Sequence, residues 1–210
     1  MRKKLIGFDF DGVLIDSCQT MEKAWLKTCE FYNIKIPFSS YKLAIGKPFE
    51  VIITELGLSN LLPGIREKYF KFSESYDDLI LQFSEAVNTL NLLNKSQFKT
   101  AIITSKPRHR TEFLLKRFKI NSHLVLCPED CPRGKPNPDP LFLAEEYFNL
   151  RSDQCIYIGD MDSDYLSAKR AGWGFIYAAW GYGNLNENIN IVTCSTPAIL
   201  YKYVKKNFCE

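Results

Sequence analysis

Histidine is nearly missing from this chain, which has only His109 and His123 in 210 residues. No serine–histidine or cysteine–histidine constellation is visible, so a histidine-activated nucleophile has no support. The seven cysteines, at 18, 29, 127, 131, 155, 194 and 209, lack any framework spacing and are odd in number. That pattern fits a reducing compartment and not a disulfide scaffold. The Cys127/Cys131 pair lacks the second pair that a zinc site of this kind would need. No apolar run approaches the roughly 18 residues that span a bilayer. The basic start, Arg2-Lys3-Lys4, leads into an apolar stretch that Asp9 and Asp11 break at once. The stretch therefore reads as a strand and not as the core of a leader. A dominant charge is lacking too: 27 basic and 24 acidic residues leave a net +3. That is too mild to argue for a nucleic-acid polymer or an anionic membrane as partner. The expectation is a soluble, cytoplasmic protein, monomeric or homodimeric, without repeats or low-complexity linkers.

What the chain does have is core-forming material: it is 46% hydrophobic, with 15 Phe and 11 Tyr. Short apolar runs at 5–8, 100–103, 124–126, 155–158 and 175–178 read as buried strands. Helical patterns at 84–95, 107–118, 138–148, 161–171 and 197–206 lie between or after them. Near-continuous apolar strands separated by helices predict a parallel sheet covered on both faces. About 90 residues separate Phe8 from Lys99, far more than one crossover requires. Helical patterns at 17–32, 48–56 and 60–76 fill most of that interval. The expected architecture is a Rossmann-like α/β core, residues 1–16 and 81–210, with an inserted α-helical cap over residues 17–80.

In open parallel sheets, ligands bind beyond the carboxyl ends of the strands. Four of the expected strand ends, or the loops after them, carry suitable groups. The first gives Asp9-Phe10-Asp11-Gly12, the second Thr104-Ser105, the loop after the third Lys135, and the fourth Asp160 and Asp164. Carboxylates two residues apart on an extended segment point to the same side. Close carboxylates repel and need a cation or a shared proton. A hard divalent ion with oxygen ligands relieves that repulsion, and Mg2+ also takes phosphate oxygens. Lys135 is the balancing point charge for a phosphoryl group.

Four segments in order carry a resemblance: Asp9-Phe10-Asp11-Gly12-Val13-Leu14-Ile15-Asp16-Ser17, Ile103-Thr104-Ser105-Lys106-Pro107, Gly134-Lys135-Pro136-Asn137-Pro138 and Gly159-Asp160-Met161-Asp162-Ser163-Asp164. Together the chain resembles the haloacid dehalogenase-like superfamily, and within it the phosphoglycolate phosphatase and β-phosphoglucomutase group. The resemblance implies an Mg2+-dependent phosphatase acting on a small phosphorylated metabolite. It implies Asp9 as the nucleophile that takes the phosphoryl group, and Asp11 as acid and then base. Thr104, Ser105 and Lys135 would hold the phosphoryl oxygens. Asp9, the Asp11 backbone carbonyl and Asp160 would bind the metal, with Asp164 in support. In the insertion, Gly46-Lys47-Pro48 resembles a turn that faces the site in relatives, which makes Lys47 a candidate for the substrate's far end. Asp162 does not match the motif spacing and reads as a first-turn helix acid. Trp180-Gly181-Tyr182-Gly183 resembles a loop that borders the site in this group. Relatives often return from the insertion through a Pro-Gly turn. Here that point reads Leu81-Gln82-Phe83-Ser84, which leaves the hinge unplaced. The near alternative is a phosphomutase, which uses the same residues. A phosphate-binding module without turnover is disfavoured by the presence of Asp11.

Overall fold

A computed structural model describes residues 4–185 and 191–208. Leu5–Phe8 forms β1, buried on both faces, as expected of four apolar or glycine residues. There follow β2 (Ile15–Asp16), α1 (Cys18–Tyr32), α2 (Phe38–Lys42), α3 (Phe49–Glu55), α4 (Gly64–Glu74) and β3 (Leu81–Gln82). Next come α5 (Ser84–Asn94), β4 (Lys99–Ile103), α6 (Arg108–Phe118), β5 (Leu124–Leu126), α7 (Asp139–Phe148) and β6 (Cys155–Gly159). The described chain ends with α8 (Asp162–Ala171), β7 (Gly174–Ala178), β8 (Val192–Cys194) and α9 (Pro197–Phe208).

Six strands form one parallel sheet in the order β5-β4-β1-β6-β7-β8. In its register, Phe8 of β1 faces Ile102 of β4 on one side and Ile158 of β6 on the other. The carboxyl ends of these three strands therefore lie side by side. Alternate residues feed opposite faces of the sheet. Ile6, Phe8, Ile102 and Ile158 pack with Leu90 of α5 and Leu200 and Val204 of α9. Leu5, Ala101, Ile103 and Tyr157 pack with Leu141 and Ala144 of α7 and Ala168 of α8. This is the parallel α/β sheet with an inserted helical unit that the pattern of apolar runs predicts. No helix of the described residues is long and apolar enough to cross a membrane.

Three features were not foreseen. β8 adds an edge strand, α2 adds a short helix, and β2 pairs with β3 as a small antiparallel ribbon in the register Ile15↔Gln82 and Asp16↔Leu81. Phe83 N–H extends the ribbon by donating to the Leu14 carbonyl at 2.9 Å. The helix expected over 60–76 begins only at Gly64. The stretch Ser59–Leu61 is a 3-10 turn, and Leu62 is extended (φ −72°, ψ 143°). The cause is Pro63: the residue before a proline is pushed out of the helical region, and proline itself has no N–H for an interior turn.

α1–α4 emerge between the two ribbon strands and share a separate cluster that includes Trp25, Tyr41, Ile53, Ile65 and Tyr69. Trp25 is fully buried, and its Nε1–H donates to the Ile36 carbonyl at 3.0 Å. Removing it leaves a void and leaves the Ile36 carbonyl with only the weak Cys29 thiol donor at 3.6 Å. Trp25→Ala is expected to cost about 3–5 kcal/mol, seen as a lowered midpoint in denaturant titration.

Candidate active site

Asp9 follows β1 directly and is 3% exposed, with its N–H bonded to the Ile158 carbonyl at 2.8 Å. Thr104 follows β4, Asp160 follows β6, and Lys135 comes from the loop after β5. The strand order brings these groups together. Lys135 Nζ lies 2.7 Å from Asp9 Oδ1 and 2.7 Å from Asp164 Oδ1, and it donates to the Tyr157 hydroxyl at 3.1 Å. Tyr157 in turn donates to the Ile103 carbonyl at 2.7 Å. Asp9, Asp160 and Asp164 each offer an oxygen within 4.8 Å of the others. All three are buried, and so is the lysine.

Three acids against one lysine leave two negative charges if every group ionises. Burial, and then the neighbouring Asp164, push the Asp9 carboxyl up to about 7, against the opposing pull of Lys135. Asp160 is also raised well above the carboxylate range, by burial and then by Asp164 and Asp9. Burial alone would lower the Lys135 ammonium, but Asp164 and Asp9 outweigh it and hold it charged. A divalent cation would match the residual charge. The donor set fits one: Asp160 Oδ1 is buried with no hydrogen-bond partner, and an orphaned carboxylate oxygen among other carboxylates suits a hard ion. Asp160 Oδ2 accepts the Tyr182 N–H at 2.7 Å. Both oxygens of Asp164 are occupied, Oδ1 by Lys135 and Oδ2 by the N–H groups of Asp160 and Met161 at 3.1 and 3.0 Å. Asp164 thus holds its neighbours in place from behind the cluster.

The side chain of Asp11 is not in that cluster. Asp11 Oδ1 accepts from the Ser17 hydroxyl and pairs with Lys106 Nζ at 3.1 Å. Gly12, at φ +85°, turns the backbone so closely over the Asp160 carboxylate that no side chain would fit. The other expected residues are placed as follows. Thr104 Oγ1 accepts the Lys106 N–H at 3.1 Å. The Ser105 hydroxyl donates to the Gly46 carbonyl at 2.6 Å, a bond to the α2–α3 loop. Lys47 lines the same cleft as Asp9, but its Nζ is 2.7 Å from both oxygens of Glu55. Asp162 is exposed at the first turn of α8. Neither histidine belongs to the acidic cluster.

The model of the haloacid dehalogenase-like hydrolase family matches residues 6–178. The chain belongs to that family. Among curated relatives, the phosphoglycolate phosphatase of Aquifex aeolicus is 26% identical, with 99% of each chain covered. The pyrophosphatase PpaX of Anoxybacillus flavithermus is 29% identical over 86% of this chain and 85% of its own. The crystal structure of a hydrolase from Pseudomonas syringae superposes with a TM-score of 0.85 at 24% identity, covering 99% of both chains. The fold and the ordered strand-end motifs therefore go together in this family member.

Several residues of the site have no motif signature. Tyr157 sits mid-strand and looked like core, yet it is a hydrogen-bond partner of Lys135. Lys106 lies inside a recognised motif, but its partner Asp11 is set by the fold and has no mark in the spacing. The 180–183 loop does border the site. Trp180 Nε1 donates to the Val13 carbonyl at 3.1 Å, and the Tyr182 hydroxyl accepts the Ser17 N–H at 2.6 Å. Gly183 packs against the Asp160 carbonyl with no space for a Cβ. One loop thus touches both the acidic cluster and the base of the β2–β3 ribbon.

The raised Asp9 carboxyl has a consequence for stability. A carboxyl raised in the fold contributes fully below its unfolded value near 4 and loses that contribution as pH rises through its folded value of about 7. In chelator, Asp9→Asn is therefore expected to be stabilised relative to the parent by a margin that grows from pH 5 to pH 8. Thermal melts of both proteins across that range check it. A margin independent of pH would show that Asp9 ionises freely in the fold.

Proposed function

We propose that this phosphatase hydrolyses a small phosphate monoester in two steps, through an aspartyl phosphate on Asp9, with Mg2+ as its cofactor. The observation that carries the reading is the buried Asp9/Asp160/Asp164 cluster with one lysine and one orphaned oxygen. Asp9, Asp160 and the Asp11 backbone carbonyl are the groups assigned to the ion. When bound, the ion supplies positive charge to the phosphoryl oxygens and to Asp9.

In the first step a carboxylate oxygen of Asp9 attacks phosphorus, and the bond to the ester oxygen breaks. Lys135 fixes the nucleophile by holding Asp9 Oδ1, and it is itself aligned by Tyr157 and Asp164. Asp11 gives its proton to the leaving alkoxide. Lys106 pairs with the Asp11 carboxyl at 3.1 Å in the free site. In the second step Asp11, now a carboxylate, removes a proton from water. The water oxygen attacks phosphorus, the bond to Asp9 breaks, and both aspartates return to their starting forms. Thr104 and the Ser105 backbone N–H are assigned to the phosphoryl oxygens.

Residues 17–80 are assigned as a cap that excludes water during the reaction. Two contacts support this, the Ser105–Gly46 hydrogen bond and the packing of Pro48 against Gly134. The paired strands 15–16 and 81–82 join the cap to the core and are the natural hinge. No disulfide joins the described cysteines, in keeping with the proposed reducing, cytoplasmic setting.

Turnover is expected to collapse in chelator and return with Mg2+. Ca2+, which prefers more ligands and looser geometry, is expected to inhibit. Phosphate release measured with each ion checks this, and full turnover in excess chelator sinks the metal assignment. The two aspartates separate in rapid-mixing kinetics. Asp9→Asn is expected to abolish turnover. Asp11→Asn is expected to lose about 10²–10⁴-fold on an alkyl ester. On an aryl ester, whose phenolate leaves without protonation, it is expected to give a burst of phenol and slow phosphate release. Equal slowing of both esters with no covalent intermediate would overturn the role of Asp11.

A further inference from the structure

The cleft that contains Asp9, Asp11 and Thr104 has about 630 Å³ of empty space, its open mouth included. Its other wall comes from α1–α4 and the loops between them, and its apolar part includes Met21, Tyr41, Phe49, Ile52, Tyr69 and Phe70. The rings are packed on one another. Tyr41 and Tyr69 stack with centroids 5.5 Å apart, and Phe49 lies 4.8 Å from Tyr69 and 5.3 Å from Phe70. The Tyr41 and Tyr69 hydroxyls bond to each other, and burial holds both phenols above their ordinary range. Tyr41, Phe49 and Tyr69 are largely buried in that packing and reach the cleft with little of their surface, the half-buried Met21 and Phe70 present more, and none of these side chains is charged.

Cations line the cleft as well, but each is already matched. Lys47 is bound to Glu55 and Lys106 to Asp11. Arg110 is buried and makes a two-point pair with Asp77, with one of its bonds at 3.1 Å. Among the described residues, no cation of the cleft is left for a second anionic group on a substrate. A carboxylate or second phosphate would have to displace Asp77 from Arg110 or Asp11 from Lys106, both largely buried pairs that are costly to break, or compete with Glu55 for Lys47.

We infer that the substrate is a phosphate monoester whose leaving group is uncharged and carries an apolar ring, which packs on the Tyr69–Phe49–Phe70 wall. This rests on the phosphatase reading above and deepens it. It departs from the substrates in the relatives' names, since phosphoglycolate and pyrophosphate both carry a second anionic group. It also replaces the expectation that Lys47 binds the far end of an anionic substrate: its charge is spent on Glu55, in a pair that keeps anions unrewarded there.

The test uses the full chain with Mg2+ and three probes, 2-phenylethyl phosphate, 2-phosphoglycolate and pyrophosphate. The expected result is a kcat/KM for the phenylethyl ester at least tenfold above either anionic probe. A ratio below ten, or the reverse order, overturns the inference and leaves the phosphatase reading standing. No turnover of any probe overturns both. Glu55→Gln, an exposed change outside the reacting groups, frees Lys47. It is expected to raise kcat/KM for 2-phosphoglycolate and narrow the ratio at least threefold. An unchanged ratio shows that paired charge does not set the selectivity, and overturns the charge argument.

Discussion

Everything at this site depends on one constraint: Asp9, Asp160 and Asp164 are buried together around a single lysine. Charges removed from water are costly unless they are matched. Lys135 matches one of the three and is locked between Asp9 and Asp164. The remaining imbalance keeps protons on Asp9 well above the ordinary carboxylate range. It also leaves one oxygen of Asp160 without a partner. The fold holds this unfavourable cluster because the sheet beneath it is buried on both faces and because Asp164 is anchored by two backbone N–H groups at the start of α8. The positive end of that helix favours a carboxylate at its first turn. On the proposed function, the stability given up at the cluster is what would favour a cation there and a phosphate beside it.

The topology explains why the groups meet. Their strands are neighbours in the order β5-β4-β1-β6, and the shared register places the ends of β4, β1 and β6 side by side. Residues about 150 positions apart in the chain are thus brought within a few ångströms. The 180–183 loop after β7 completes the arrangement from the far side. Its backbone N–H at Tyr182 bonds Asp160, while the Tyr182 hydroxyl bonds Ser17 at the foot of α1. Ser17 itself donates to Asp11. A short relay of hydrogen bonds therefore joins the cluster, the Asp11 carboxyl and the ribbon from which α1–α4 hang. A movement of the ribbon must break or carry these bonds, so the position of the helical unit and the aim of Asp11 are physically coupled.

The sheet core was legible in the sequence because buried parallel strands are uniformly apolar and end in chemically conspicuous residues. Asp9, Thr104, Lys135 and Asp160 could be read because strand ends in such a sheet all open to one edge. The ribbon was not legible: Ile15-Asp16 and Leu81-Gln82 are two residues each, too short for any periodicity, and their pairing is a long-range event. The helix at 60–76 was overdrawn because its apolar spacing continues through Pro63 while the backbone cannot. The partners of Lys47 and Lys106 were invisible for another reason. Whether a lysine faces substrate or a protein carboxylate depends on Glu55 or Asp11 lying within reach, which the tertiary fold decides. Tyr157 was hidden by its own chemistry, since a tyrosine in an apolar strand signals core, and only the position of Lys135 gives its hydroxyl a task.

The apolar wall and the acidic cluster share one cleft, and each makes the other more effective. Charges act more strongly where water and its high dielectric are excluded. A wall of Phe49, Tyr69 and Phe70 excludes water without adding charge of its own. Had that wall carried free cations, they would have competed with Lys135 and the assigned metal for the phosphoryl group and held the substrate in unproductive poses. Pairing Lys47 with Glu55 and Arg110 with Asp77 removes those competitors from the cleft. What remains unmatched lies at the Asp9 end alone. On the proposed reading, a phosphate monoester would be oriented by two unlike regions at once, its phosphoryl group drawn to Lys135 and the assigned ion and its leaving group to the rings. Orientation of that kind needs no contact with the reacting bond itself, which would let α1–α4 set selectivity while the strand-end groups carry the proposed chemistry.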